Sequence, residues 1–289
     1  MPRDYSGYKY LKVEVDEDKV ATVTINRPEV LNALHHDGRI ELHTIWGDLR
    51  VDTDVKVIIF TGAGRGFCAG GDIKEVASRH AAGLGTEGFA RHPTGEQPAA
   101  GVKVPPPTPM GPGVSQYYAE QMFGLPKPII GAINGVATGM GCVMALSCDI
   151  VIAADTATFG DHHIRIGLVG GDGCCTVWPL LVGPHKAMEY IITGDLMDAQ
   201  EADKRGLVNK VVPLADLMPT ARELAKRIAH GPTIAIGLCK RVINKRVIRH
   251  WQLTQDIAFA SEISTFNTWD HLEGAKAFAE KREPQFEGR

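Results

Sequence analysis

Residues 133–183 read INGVATGMGCVMALSCDIVIAADTATFGDHHIRIGLVGGDGCCTVWPLLVG. Two apolar runs, Ile129–Ile133 at its edge and Ile150–Ala153 inside it, have the continuous apolar character of strands buried on both faces. Between them the turn Thr138–Gly141 precedes a helix start, and Leu168–Gly173 is a second glycine-rich segment. Small residues at such turns let another group approach the backbone closely.

Upstream, residues 65–74, RGFCAGGDIK, hold another glycine turn, Cys68–Asp72, ahead of a short helix start at Asp72–Ser78. Val55–Phe60 is a further buried-strand run. Tyr10–Val15 and Val20–Ile25 alternate apolar and polar residues around Asp16–Lys19, which predicts an antiparallel hairpin ended by Arg27-Pro28. Leu31, Leu34, Leu42, Ile45 and Leu49 carry helical spacing and predict a helix over 31–49. Residues 80–113 are rich in Gly and Pro without periodicity, and read as a long loop, partly disordered or a lid. After Gly206 the pattern turns helical, over Leu217–Ile228, Pro232–Val247, Ile257–Phe266 and His271–Lys281. The 289 residues thus divide into an α/β core, 1–205, with 80–113 as an inserted loop, and a helical region, 206–289.

With 31 basic and 34 acidic side chains the net charge is −3, which gives no electrostatic case for nucleic acid or an anionic membrane. No apolar run approaches a membrane span, and the N-terminus lacks the apolar core of a secretory signal. The six cysteines form no CxxC pair, and Cys174 and Cys175 are adjacent. They read as reduced, mostly buried side chains of a cytoplasmic protein. His162 and His163 have no third ligand at a recognisable spacing, so no metal site is expected.

Residues 65–74 together with 133–183 strongly resemble the crotonase superfamily, the enoyl-CoA hydratase/isomerase family. The resemblance implies a β/α spiral core with a C-terminal helical region used for trimer contacts, hence a homotrimer or a dimer of trimers. It implies an acyl-CoA substrate, with coenzyme A carried on that substrate and no separate cofactor. Thioester chemistry at the α-carbon puts charge on the carbonyl oxygen, which two aimed backbone amides stabilise. By resemblance these donors are the amides of Gly71 and Met140. The same resemblance places Arg27, Ala69, Gly71, Asp72 and Ile73 near coenzyme A, and Phe278 and Lys281 at the site from a neighbouring subunit. Arg27 and Lys281 read equally well as solvated charges, and Asp72 as a turn cap.

The hydratases of the family carry two catalytic glutamates. Here those positions hold Val143 and His163. His163 suits proton transfer near neutral pH, and a carboxylate fixing its tautomer would strengthen it. Asp172, nine residues on, is the candidate. That spacing, with VWP following, is similar to the 6-oxocamphor-hydrolase-like branch, which cleaves C–C bonds of diketones. That branch has a further histidine where this chain has Gly141. Hydration, its reverse, isomerisation, CoA-independent β-diketone hydrolysis and non-catalytic acyl-CoA binding all remain open. His162 would face away from His163 on extended chain. Asp161 is in reach of either imidazole or caps the loop, and Asp149 reads as a buried structural carboxylate paired to backbone or Arg165.

Overall fold

The structure, a computed structural model, is described over residues 3–73, 75 and 114–289, the last span with side chains from Tyr118. The 80–113 loop and most of the Asp72–Ser78 helix lie outside the described residues. Among the described residues ten strands, numbered in chain order, form two sheets. The larger has the order β1 (Leu11–Val15), β2 (Val20–Ile25), β3 (Val57–Gly62), β5 (Ile129–Ile133), β7 (Ile150–Ala154), β10 (Lys210–Val212). The β1–β2 pair is the expected antiparallel hairpin, and the other pairs are parallel. The smaller sheet has the order β4 (Gly66–Cys68), β6 (Val136–Thr138), β8 (Thr158–Gly160), β9 (Leu196–Asp198). Successive turns of the chain, β3–β4, β5–β6 and β7–β8, each add one strand to each sheet. This is the α/β spiral expected of the family.

Two buried amides close the corner where the chain leaves one sheet for the other. Asn134 Nδ2 donates to Gly64 O (2.9 Å) and Gly66 O (3.1 Å), and Asn32 Nδ2 donates to Ala63 O (2.9 Å) and Gly66 O (2.8 Å). Carbonyls that lose ladder partners at a corner need such donors when buried. On the larger sheet the strands alternate faces. Ile58, Phe60, Ile129, Ile133 and Val151 join the main core with Trp46 and Trp178. Val57, Ile59, Ile130, Ala132 and Ile152 face the helix Leu214–Ala229. That helix presents Ala221, Ala225 and Ala229 at four-residue spacing, small enough for close packing on the sheet.

Several expectations shift. The first helix runs over His36–Val51 and does not begin at Leu31. Leu31 and Asn32 are left-handed (φ 53° and 59°), because the Asn32 side chain is committed to the corner carbonyls and to the Arg27 amide. The stretches Pro232–Val247 and Ile257–Phe266 are parts of one 33-residue helix, Thr233–Thr265. β10 pairs with β7 and the helix Leu214–Ala229 covers the core sheet, so a boundary at 205/206 cuts through the core. Asp149 accepts from Lys240 Nζ (2.7 Å), Ile129 N (2.7 Å) and Asn244 Nδ2 (3.1 Å), whereas Arg165 pairs with Asp195 (3.3 Å). These contacts moor the long helix to β5 and β7.

Candidate active site

The strands β4, β6 and β8 are parallel, with Cys68 opposite Ala137 and Thr138 opposite Gly160. Their C-terminal ends therefore finish side by side and release three segments at one place: Ala69–Asp72, Gly139–Met140 and Asp161–His163. The first two turns abut. A Cβ on Gly70 would lie 2.9 Å from Thr138 O, and one on Gly141 would lie 2.1 Å from Cys68 O. Gly139, at φ 51°, donates its N–H to Gly160 O (3.0 Å), and a Cβ there would meet His163 Cε1 at 3.2 Å. A side chain at residue 139 would thus press on the imidazole.

Leu34 forms a parallel bridge with Gly71, accepting from Asp72 N (3.0 Å) and donating to Gly70 O (2.8 Å). In that pattern the bonds to Leu34 use the residues flanking Gly71, and the Gly71 amide points away from Leu34. Met140 opens the helix Met140–Leu146, and first-turn amides have no acceptor within their helix.

His163 opens a 3-10 turn, His163–Ile166, directly after β8. Asp161 Oδ1 accepts from both the His163 backbone N–H (3.0 Å) and Nδ1 (2.5 Å). Asp161 thus caps the turn and fixes the imidazole together. Asp172 was expected to orient His163, but its Oδ2 stands 3.8 Å from Nε2, on the opposite edge of the ring. Both Asp172 oxygens are buried without a hydrogen-bond partner. His162 precedes the turn with φ −94° and ψ 6°, so the backbone bends there and extended-chain alternation does not apply.

A further carboxyl, not singled out in the sequence, completes the cluster. Glu262 Oε1 lies 3.9 Å from His163 Nε2, and Glu262 Oε2 is buried without a partner. Trp251, Gln255, Ala258 and Glu262 share one face of the long helix, at spacings of four, three and four. That face lies on the Gly170–Gly173 loop. Gln255 Nε2 donates to Gly171 O (2.5 Å), and a Cβ on Gly171 would stand 2.4 Å from Ala258 O and 2.6 Å from Glu262 Cβ. A Cβ on Gly173 would stand 2.7 Å from the Trp251 ring. Reading the long helix as two pieces broke this register and hid Glu262. A buried-side stripe of Trp, Gln, Ala and Glu was the signal available.

The cluster's electrostatics follow from burying three carboxyls around one imidazole. Burial disfavours the His163 cation, but Asp161, Asp172 and Glu262 outweigh it and hold its pKa well above the usual value. Burial opposes the Asp161 carboxylate, yet His163 holds its pKa below the ordinary range. Burial and the Asp161 charge raise Asp172 to about 6, against the pull of His163. Burial, with Asp172 and Asp161, raises Glu262 to about 8, again against His163. Near neutral pH the corner therefore holds an imidazolium, an ionised Asp172 and a protonated Glu262. Asp161, Asp172 and Cys174 also offer ligand-type atoms within 4.8 Å of one another. A hydrogen bond to Cys142 and burial hold the Cys174 thiol well above its ordinary pKa, and the imidazolium supplies the counter-charge.

The other expected residues fall in different surroundings. Val143 is buried and faces the Gly173 loop, adding no polar atom. The Arg27 side chain is largely buried, with Nη1 donating to Ala33 O (2.5 Å) and lying 3.2 Å from Asp72 Oδ2. Ala69, Gly71, Asp72 and Ile73 line the half-buried rim after β4. Phe278 and Lys281, at the end of the helix Trp269–Glu280, face solvent in this protomer. The cysteines are all free, with Cys68, Cys142, Cys148 and Cys174 buried and Cys239 exposed. Among the described residues no helix is long and apolar enough to cross a membrane.

Comparison with known proteins agrees with this architecture. The family model described as enoyl-CoA hydratase/isomerase matches residues 16–92 and 112–289. A probable enoyl-CoA hydratase of Mycobacterium bovis is 36% identical over 286 residues, spanning 98% of this chain and 99% of the relative. The 1,2-epoxyphenylacetyl-CoA isomerase of Escherichia coli is 33% identical over 276 residues, spanning 94% of this chain and 97% of the relative. Among solved structures, an enoyl-CoA hydratase/isomerase from Mycobacterium paratuberculosis superposes with a TM-score of 0.80 at 29% identity, covering 94% of this chain and 99% of that one. The chain is an enzyme of the enoyl-CoA hydratase/isomerase family.

Proposed function

We propose that this enzyme acts on an acyl-CoA thioester whose carbonyl oxygen accepts hydrogen bonds from the amides of Gly71 and Met140. The observation that supports the reading is the closeness of the Gly139 turn to the His163 ring, where an added Cβ on Gly139 would meet Cε1 at 3.2 Å. Charge that develops on the thioester oxygen is met by two fixed dipoles. A water in the gap between His163 Nε2, Asp172 Oδ2 and Glu262 Oε1 bonds through its oxygen to the β-carbon of an enoyl thioester as it gives a proton to Asp172, leaving an enolate. Protonated Glu262 gives its proton to the substrate α-carbon as the enolate collapses, with the imidazolium holding its charge beside it. Asp161 keeps the imidazole in register through Nδ1. Val143 serves as an apolar wall of the acyl pocket, where a glutamate would carry charge. Backbone around Ala69, Gly71, Asp72 and Ile73 receives the adenine end. Phe278 and Lys281 close the site from a neighbouring copy, and coenzyme A enters as part of the substrate.

A second reading is hydrolysis of a free β-diketone, favoured by the grouping of two further carboxyls at the open edge of the imidazole, an arrangement suited to activating water. The deciding experiment offers purified protein a panel of enoyl-CoA, 3-hydroxyacyl-CoA and cyclic β-diketone substrates and follows products by mass. Conversion of a CoA ester, with at least a hundredfold loss in His163→Ala, supports the thioester reading. Conversion of free diketones without competition by CoA supports the second. Thioester binding with no turnover would reduce the protein to an acyl-CoA binder.

A further inference from the structure

We propose that Arg27 is a positioning residue for the Gly71 amide, acting through Asp72, and not a ligand for coenzyme A phosphates. The inference rests on the thioester reading of the Gly71 amide. Arg27 Nη1 donates to Ala33 O (2.5 Å) and lies 3.2 Å from Asp72 Oδ2, with both side chains more than four-fifths buried, at 17% and 16% exposed. One cation therefore joins the 27–34 turn to the residue directly after Gly71. The backbone repeats that link. Leu34 N donates to Gly70 O (2.8 Å) and Leu34 O accepts from Asp72 N (3.0 Å), bracketing Gly71 on both sides. The turn that carries these groups is itself rigid. Its Leu31 and Asn32 are left-handed, and Asn32 Oδ1 accepts from Arg27 N (2.8 Å) while Nδ2 holds Ala63 and Gly66.

A peptide with no Cβ on either side, at Gly70–Gly71, has little stiffness of its own. An amide that must meet a forming oxyanion gains rate only if its direction is fixed beforehand. The Arg27–Asp72 clamp supplies that fixity from outside the glycine pair. A guanidinium engaged with a carbonyl and a carboxylate is also turned away from a role as a free phosphate ligand.

The test compares wild type, Arg27→Ala, Arg27→Lys and Asp72→Asn on an acyl-CoA and on the matching N-acetylcysteamine thioester, which lacks every phosphate. Hydrogen exchange at the Leu34 and Asp72 amides, whose bonds bracket Gly71, is followed in parallel. The clamp predicts that Arg27→Ala and Asp72→Asn lose about ten- to a hundredfold in kcat on both thioesters, with KM nearly unchanged. It predicts exchange at the Leu34 and Asp72 amides at least about tenfold faster while β5 amides keep their protection, and partial recovery in Arg27→Lys. A loss confined to KM for the CoA ester would make Arg27 a phosphate ligand and overturn the proposal. Unchanged exchange at Leu34 and Asp72 would overturn it as well. If wild type turns over neither thioester, the thioester reading fails, and the exchange measurement alone decides whether the clamp exists.

Discussion

Three acids around one imidazole make residue-level protonation the main variable of this site. Asp161 grips Nδ1 at 2.5 Å, so Asp161→Asn loosens the ring and weakens its cation together. We expect kcat to fall about a hundredfold or more, measured on whichever substrate wild type converts. Asp172, raised to about 6, must be ionised, and Glu262, raised to about 8, must hold its proton. The kcat/KM profile should therefore rise through about pH 6, fall through about pH 8, and lose its alkaline limb in Glu262→Gln. A profile flat from pH 5 to 9 would contradict the assignment. Stability carries the same signature. The native pKa of Glu262, about 8 against 4.5 for the free group, means that the folded state binds the extra proton. Its contribution is complete below about 4.5 and is lost as pH rises through about 8. Glu262→Gln should melt higher than wild type, by a margin that grows across that window in a thermal scan.

The elements explain what could be read in advance. The buried strands β3, β5 and β7 fall on apolar runs rich in Ile, and the glycine turns that follow β4 and β6 sit where their sequence puts them. Gly71, Met140 and His163 could be singled out because residues 65–74 and 133–183 resemble the family's motifs. Asp161 was weighed but ranked below Asp172, because sequence distance does not reveal which edge of an imidazole a carboxylate meets. Glu262 was missed because it arrives from a helix about 100 residues away, packed on the loop only through tertiary contact. That helix depends on a buried ion pair, Lys240 with Asp149, at 2.7 Å. Replacing Lys240 by Ala leaves Asp149 buried without its cation. We expect a loss of about 3 kcal/mol in urea unfolding, and weaker activity as Glu262 drifts. A Lys240→Ala protein as stable as wild type would contradict this mooring.

The whole molecule leaves a broad apolar face uncovered. Ile234, Leu238 and Val242 recur every fourth residue of the long helix and are exposed, at 82%, 56% and 74%, with Ile257 and Trp269 also open to solvent. Isolated exposed apolar residues are ordinary, but a helical stripe of them marks an interface. Light scattering should report a trimer or a dimer of trimers, and Leu238→Lys with Val242→Lys should release smaller species. A monomeric wild type would remove the role given to this face, and with it the placement of Phe278 and Lys281 against a neighbour's site. The most direct check on the chemistry is a crystal structure with a non-reactive acyl-CoA analogue. The thioester oxygen should lie about 2.7–3.1 Å from both the Gly71 and Met140 nitrogens, with His163 Nε2 facing the acyl α- and β-carbons. An oxygen that reaches neither amide, or an acyl chain bound away from His163, would contradict the account.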